Sequence, residues 1–442
     1  MSDHVVLLSV PALRAGDVAQ MPNLSALIEN GDRAPLVPSF PCVTYPVQAN
    51  MLTGQPPREH GVVANGCYQR DARQLNMWNA GTATLPVPTI WDILHQHQPE
   101  LTSAAWFPMP LRDCGADYMC TVGSPPVTNN TVGPACNTRP THLYAQLCDE
   151  LGPFPSYNFW RPDPLIDTTS WIASSAIRVA QSMRPHFFYL YLPHLGQAAR
   201  RNGPDSPAAL DALSALDAVL GKLFAGFGPA YEGHNLLWLV ASEYVVTPVD
   251  HVSYPNRRLR QAGLLQVKKF EDGEHLDLHR SQAWAFVNHQ FSHVYLSEVT
   301  AAMTREVTQL FARDTGIDRV LAGNQLADLC IDHAHSGDVI LISSPNSWQA
   351  YDWWMEEGSA PPFARTRGGV HRQPASDPVE LYVDRETGIV PFDARLVRGS
   401  HGAPAASAAQ RGVLLSSQRG VLMERATCDT DVADVVLRQF GI

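Results

Sequence analysis

No apolar stretch in this chain of 442 residues approaches the ~18–20 residues that a membrane-crossing helix needs; the longest, such as Val5–Leu8 and Phe187–Leu192, have the length of strands. An excess of basic charge is also missing. The chain has 32 Lys and Arg against 43 Asp and Glu, a net charge of −11, which argues against a nucleic-acid binder that works through a broad basic surface. Phosphate chemistry, which needs only a local positive site, is not excluded. There is no CxxC pair. The eight cysteines (Cys42, Cys67, Cys114, Cys120, Cys136, Cys148, Cys330, Cys428) are scattered, as expected of reduced, mostly buried thiols rather than of a disulfide framework or a zinc knuckle. Met1-Ser-Asp-His4 lacks the basic region and cleavage site of a secretory signal, so the expected compartment is the cytoplasm. The glycosylation sequons at Asn23 and Asn129 then carry no expectation.

What is present is an ordinary globular composition, 45% hydrophobic and 17% charged, enough to build a large core and to exclude a disordered chain. At ~150 residues per domain the length suits about three domains, or one large α/β domain with an insertion. Short apolar runs at Val5–Val10, Ser103–Trp106, Phe187–Leu192, Leu236–Val240, Val339–Ile342 and Gly412–Leu415 predict buried strands. Between them Asn23–Glu29, Thr89–Gln96, Thr169–Met183, Ser206–Phe224 and Ala302–Arg313 carry helical spacing. This alternation predicts an α/β fold with a mainly parallel sheet and helices on both faces. The stretch from about Asn256 to Gly369 has a different texture, basic at first and Trp-rich later. It is expected to be an inserted smaller α+β cap over 256–369, leaving 1–255 and 370–442 as the α/β core.

In open α/β sheets, ligands sit at the carboxyl ends of the strands, so the segments after strands bear the chemistry. Phe40-Pro-Cys-Val-Thr44-Tyr-Pro runs into Gln48–Gly54 and then His60-Gly-Val-Val-Ala-Asn65-Gly. Thr44 follows an extended stretch and precedes a short helix. Its hydroxyl would there suit either a nucleophile attacking phosphorus beside a helix N-terminus or a simple helix cap.

These segments, together with Met21-Pro-Asn-Leu-Ser-Ala-Leu-Ile-Glu-Asn-Gly31, Thr89-Ile-Trp-Asp92, Ala105-Trp-Phe-Pro108, Tyr191-Leu-Pro-His194, Ser242-Glu-Tyr244, Arg398-Gly-Ser-His401-Gly and the closing Thr430–Gly441, resemble in order the type I phosphodiesterase/nucleotide pyrophosphatases of the alkaline phosphatase superfamily. The resemblance implies an alkaline phosphatase-like fold and a site of two metals, usually zinc. A Thr attacks phosphorus there, an Asn holds a phosphoryl oxygen, and metal-activated water hydrolyses the phosphothreonine. Thr44 matches the nucleophile and Asn65 the oxyanion holder.

The metal ligands depart from the family pattern. Where the family has an Asp-Gly pair after the first strand, this chain has Pro11-Ala12. In the next block, counting back from Gly203-Pro204 puts Gly196 at the Asp position and Arg200 at the His position; anchoring on the strand end puts His194 at the Asp position instead. The late Ser-Asp-His block reads Ser242-Glu243-Tyr244. His401 alone is unchanged, so the expected metal shell falls to Glu243 and His401, with His194, or His371 beside Asp377 and Glu380, as candidate helpers. His289 with His293, and His333 with His335, are further imidazole pairs. Two or three protein donors predict one divalent metal, zinc or manganese, or none.

Arg200 would place a fixed cation where a ligating His stood and could bind phosphate or carboxylate, or simply pair with Asp205 on the surface. Trp348, Tyr351, Trp353 and Trp354 suit either a wall over an organic substrate or core packing. The expected partner is a small anionic metabolite rather than a nucleic-acid polymer or a membrane. The first expectation is phosphoester hydrolysis or transfer through Thr44 and Asn65 at a reduced metal site. The alternatives are a metal-free catalyst of specialised metabolism using Tyr244, Glu243 and His194 as acid and base with Arg200 as anion anchor, and an inactive ligand-binding protein.

Overall fold

The computed structural model describes residues 3–77, 85–111, 113–123, 135–159, 166–365, 382–384, 386–423 and 425–442. Among them, the apolar runs assemble a nine-stranded sheet. In chain order its strands are β1 (His4–Ser9), β2 (Asp32–Val37), β3 (Ser103–Trp106), β4 (Tyr118–Val122), β5 (Cys136–Arg139), β6 (Phe187–Tyr191) and β7 (Leu236–Ala241). The last two, β12 (Gly412–Ser416) and β13 (Thr427–Cys428), come from the end of the chain. The spatial order is β13-β2-β12-β7-β1-β6-β3-β4-β5. The centre, from β7 through β1, β6 and β3 to β4, is parallel. β12 runs antiparallel to both β7 and β2, and β5 antiparallel to β4, so the sheet is mainly parallel, as expected, with antiparallel pairs on either side of its parallel centre. The predicted strand at Gly412–Leu415 exists, but the chain re-enters the sheet from the opposite direction.

Helices follow the expected stretches at α1 (Pro22–Leu27), α2 (Thr44–Thr53), α3 (Ile90–His97), α4 (Ile166–Met183) and α6 (Pro207–Phe227), and α5 (Leu195–Asn202) is a further helix that the sequence reading does not expect. For α6 the local causes are plain. Ser206 caps it by accepting from the Ala209 N–H, Pro207 occupies the first turn, and Ala209, Leu213, Leu216, Leu220, Leu223 and Phe227 recur on one buried face.

The run at Val339–Ile342 is a strand but belongs to a second sheet. β8 (Ala283–Asn288), β9 (Phe291–Leu296), β10 (Ile317–Ala322) and β11 (Val339–Ser343) form an antiparallel four-stranded sheet in the order β8-β9-β11-β10. Helix α7 (Ala301–Phe311) buries Val307 and Phe311, which join the core of that sheet. This core also takes in Phe40, Val43, Val63, Ala64 and Tyr68 from the N-terminal part of the chain. Trp353 and Trp354 are buried in it, and the Trp353 indole donates to the Glu274 carbonyl at 2.8 Å. Trp348 is buried in a small separate cluster. The aromatic set therefore packs as core and does not form a wall over a ligand. A short final helix, α8 (Val432–Leu437), packs on the main core.

Candidate functional site

Three parallel strands leave the centre of the sheet at the same level, because Ser9 pairs with Tyr191 on one side and Ala241 on the other. The segments that follow them are Val10-Pro11-Ala12, Leu192–His194 and Ser242–Tyr244, and α2 packs over them. The carboxyl-end rule thus locates the site in the structure as it does in the sequence.

Thr44 opens α2. Val43, in extended conformation, is the capping residue, so the cap role does not fall to Thr44. Gly54 closes the helix at φ +69°, donating its N–H to the Asn50 carbonyl; a side chain there would be strained in the left-handed region. The Thr44 hydroxyl is buried, close enough to Glu243, Tyr191 and Tyr244 to favour the ionised form of each. Asn65 is held beside it: its Oδ1 accepts from the Tyr45 N–H at 3.1 Å, which leaves its NH2 group for a ligand.

Glu243 is fully buried. Its Oε1 accepts from the Ser9 hydroxyl at 2.8 Å and from Gln48 Nε2 at 2.7 Å, and Gln48 is itself fixed by the Met109 N–H at 2.8 Å. Its Oε2 has no hydrogen-bond partner. Burial pushes this carboxyl up to about 7, against the downward pull of Gln48, Ser9 and Thr44. Tyr244 is pushed up to about 12, by burial and then by the Glu243 charge. Its ring stacks on His401, centroids 3.8 Å apart and planes 5° from parallel. His401 donates Nδ1–H to the Cys42 carbonyl at 3.1 Å, leaving Nε2 bare. Burial, then the Arg200 charge, lower it to about 3, so it is neutral.

Arg200 lies on α5, and its Nε donates to the Gly196 carbonyl at 3.2 Å. The surface pairing with Asp205 does not form; Asp205 binds Arg14 at 2.6 Å instead. The Arg200 charge acts on Tyr244, His289 and His401. His194, at the start of α5, is buried with both ring nitrogens unpartnered, and burial lowers it to about 4. His371, Asp377 and Glu380 lie outside the described residues.

The other imidazole pairs divide. His293 is fully engaged, its Nε2 with the Val63 carbonyl and its Nδ1 with the Gly337 N–H. His333 and His335 bond to each other's loop and to the Gly61 carbonyl. His289, in contrast, reaches the site, its ring 4.2 Å from that of His401. Its neighbour Asn288, which sequence reasoning missed, accepts from the Asn65 N–H at 3.4 Å. Both sit at the tip of the β8–β9 hairpin. The signal available for them is a polar Asn-His-Gln step between two apolar strand runs.

The donors present do not fit the metal that the resemblance implies. Among the described residues, no three His, Cys, Asp or Glu side chains come together to hold an ion. Glu243 already has one oxygen engaged by two donors, and the cation of Arg200 acts on His401. Two donors beside a fixed positive charge are a poor zinc site.

A hydroxyl at a helix start, beside an asparagine amide and at the carboxyl ends of a central set of parallel strands, is an arrangement in keeping with an α/β protein of the alkaline phosphatase type. The chain belongs to the type I phosphodiesterase/nucleotide pyrophosphatase family, whose model matches residues 5–372. It is similar to an uncharacterized pyrophosphatase/phosphodiesterase of Schizosaccharomyces pombe, 24% identical over 230 residues, which are 50% of this chain and 40% of the yeast protein. Among solved structures, murine ectonucleotide pyrophosphatase/phosphodiesterase 5 superposes with a TM-score of 0.62 at 14% identity, covering 99% of this chain and 95% of that one. An inactive variant of the murine protein, in complex with AMP, matches at 0.63, again with 14% identity, covering 100% and 95%. Phosphonoacetate hydrolase of Sinorhizobium meliloti, in complex with phosphonoacetate, matches at 0.64 with 16% identity, covering 99% and 96%. At these identities the solved structures establish the fold. No described helix is long and apolar enough to cross a membrane.

Proposed function

We propose that the chain is a phosphoester hydrolase or phosphotransferase acting on a small anionic substrate of the phosphodiester or nucleotide pyrophosphate type. Thr44 Oγ attacks phosphorus, Glu243 takes the hydroxyl proton on its bare Oε2, and the Asn65 NH2 holds the phosphoryl oxygen on which charge grows. The Thr44 oxygen–phosphorus bond forms as the bond to the leaving oxygen breaks, and the proton on Glu243 is available to that oxygen. Water, or an acceptor alcohol, then displaces phosphate from Thr44. The observation that supports this reading is that Thr44 opens α2 next to an Asn65 amide fixed by the Tyr45 N–H and close to Glu243, a buried carboxyl with one oxygen unpartnered. The phosphorus ligands of the AMP and phosphonoacetate complexes support the substrate class. The free thiols support a reducing, cytoplasmic setting.

The test is release of nitrophenol from a p-nitrophenyl phosphodiester, with acid quench and peptide mass analysis. Wild type is expected to turn over and to trap a phosphoryl group on Thr44, and Thr44→Ala to do neither. Equal turnover in the two proteins rejects Thr44 as nucleophile. The departure of the ligand set from the family pattern favours a second reading, ligand binding without chemistry; it is supported if no phosphodiester or pyrophosphate is cleaved by wild type although nucleotides raise its unfolding temperature.

A further inference from the structure

The hairpin tip and the loop at His401 form a cluster of buried polar atoms without partners. Asn288 Nδ2, His289 Nδ1 and His401 Nε2 all lack a hydrogen bond, and all three side chains are at least nine-tenths buried. Such atoms cost stability unless something satisfies them. The cluster is held together: the His289 ring lies 4.2 Å from His401, Gln290 donates its N–H to the His401 carbonyl at 3.0 Å, and Asn288 accepts from Asn65. His289 is itself kept at φ +58°, a conformation that a non-glycine residue adopts at a cost. On the other side, Arg200 folds back along α5 to the Gly196 carbonyl. A Cβ on Gly196 would stand only 3.8 Å from the Tyr244 hydroxyl, so this helix edge abuts the ring that stacks on His401.

We propose that Arg200, Asn288, His289 and His401 form a subsite, adjoining Thr44, that holds a monoprotonated phosphoryl or phosphonyl group without a divalent cation. The chemistry of the four groups selects the ligand. The guanidinium and the Asn288 amide are donors and call for anionic oxygens. His289 can place its ring proton on Nδ1 and donate as well. His401 cannot, because its proton is committed to the Cys42 carbonyl; its bare Nε2 needs a ligand that donates. A hydrogen phosphate ester or a hydrogen phosphonate offers oxygens and one O–H together. Sulfate offers only oxygens. The phosphorus identity rests on the function proposed above, whereas metal-free anion binding stands on the donor set alone.

The experiment is calorimetric titration of the full chain with inorganic phosphate, after exhaustive chelation, with sulfate as the comparison. Saturable phosphate binding is expected, changed less than about twofold by added zinc or manganese, and at least about tenfold weaker for sulfate, the worth of one good hydrogen bond. Arg200→Gln and Asn288→Leu should each weaken phosphate at least about tenfold while unfolding cooperatively; Asn288→Asp, which keeps the shape but replaces the donor with a negative charge, should abolish it. Phosphate binding that appears only when zinc is added, equal affinity for sulfate, or unchanged affinity in Arg200→Gln overturns the subsite. If phosphate binds as expected but wild type cleaves nothing, the functional reading falls and the subsite stands. If wild type turns over but phosphate binds only with added metal, the reverse holds.

Discussion

Two neighbouring regions share one site but treat their polar atoms in opposite ways. Around Glu243, Ser9 and Gln48 donate to the carboxylate, Gln48 is braced by Met109, and Asn65 is braced by Tyr45. At the hairpin tip and the His401 loop, equally buried groups are left open. A network satisfied everywhere but at Glu243 Oε2 fixes geometry, which is what the proposed nucleophile would need. An unsatisfied one stores a demand that a ligand can meet. On the proposed function, the contrast would separate the part of the site that positions chemistry from the part that receives substrate.

The strongest way to break this division is through Asn65, the residue that touches both parts. Asn65→Ala should lower kcat on a phosphodiester about 10²–10³-fold, as loss of one oxyanion donor does; a loss of only a few-fold would place Asn65 on the supporting side alone. Glu243 gives the next largest effect, read as stability. Its folded value, about 7, lies above the ordinary 4.5, so the native state holds the proton more tightly. Its stabilising contribution is full below pH 4.5 and is lost as pH rises towards 7. Glu243→Gln, which keeps an acceptor for Ser9 and Gln48, should therefore be more stable than wild type at pH 8 by up to about 3 kcal/mol and equal to it near pH 4. Denaturant titrations at the two pH values check the difference, and the opposite slope would refute the buried-carboxyl account. Gln48→Leu removes a donor from Glu243 and orphans the Met109 N–H; a loss of about 2 kcal/mol is expected by the same measurement. The smallest effect should have the other sign. His194→Leu, at the start of α5 and outside both regions, removes two unpartnered ring nitrogens and should raise stability by about 1 kcal/mol, sharpening the claim that unpartnered buried nitrogens cost stability.

Much of this was readable from the residues in order. Thr44 and Asn65 lie in adjacent segments following an extended run, and the post-strand positions of Glu243 and His194 follow from strand-length apolar runs alone. The direction of β12 was not readable, because a five-residue apolar strand looks the same whichever way it enters a sheet. Nor was the setting of Arg200, which depends on Arg14 taking Asp205, its expected partner, from far along the chain. Asn288 escaped notice because its contact with Asn65 spans 223 residues; nothing local distinguishes a hairpin tip in solvent from one inserted against a nucleophile. The tryptophans show the converse. Their clustering is visible in the sequence, but only packing settles that they serve the core.

Helix α2 has its cap residue, Val43, in the core of the second sheet and its later residues, Val47, Met51 and Leu52, in the core of the first. Thr44 sits at the seam between them. The Thr44 hydroxyl is therefore positioned by both cores together rather than by either alone. Packing of the antiparallel sheet therefore has a direct route to the position of that hydroxyl, through Val43 at its edge.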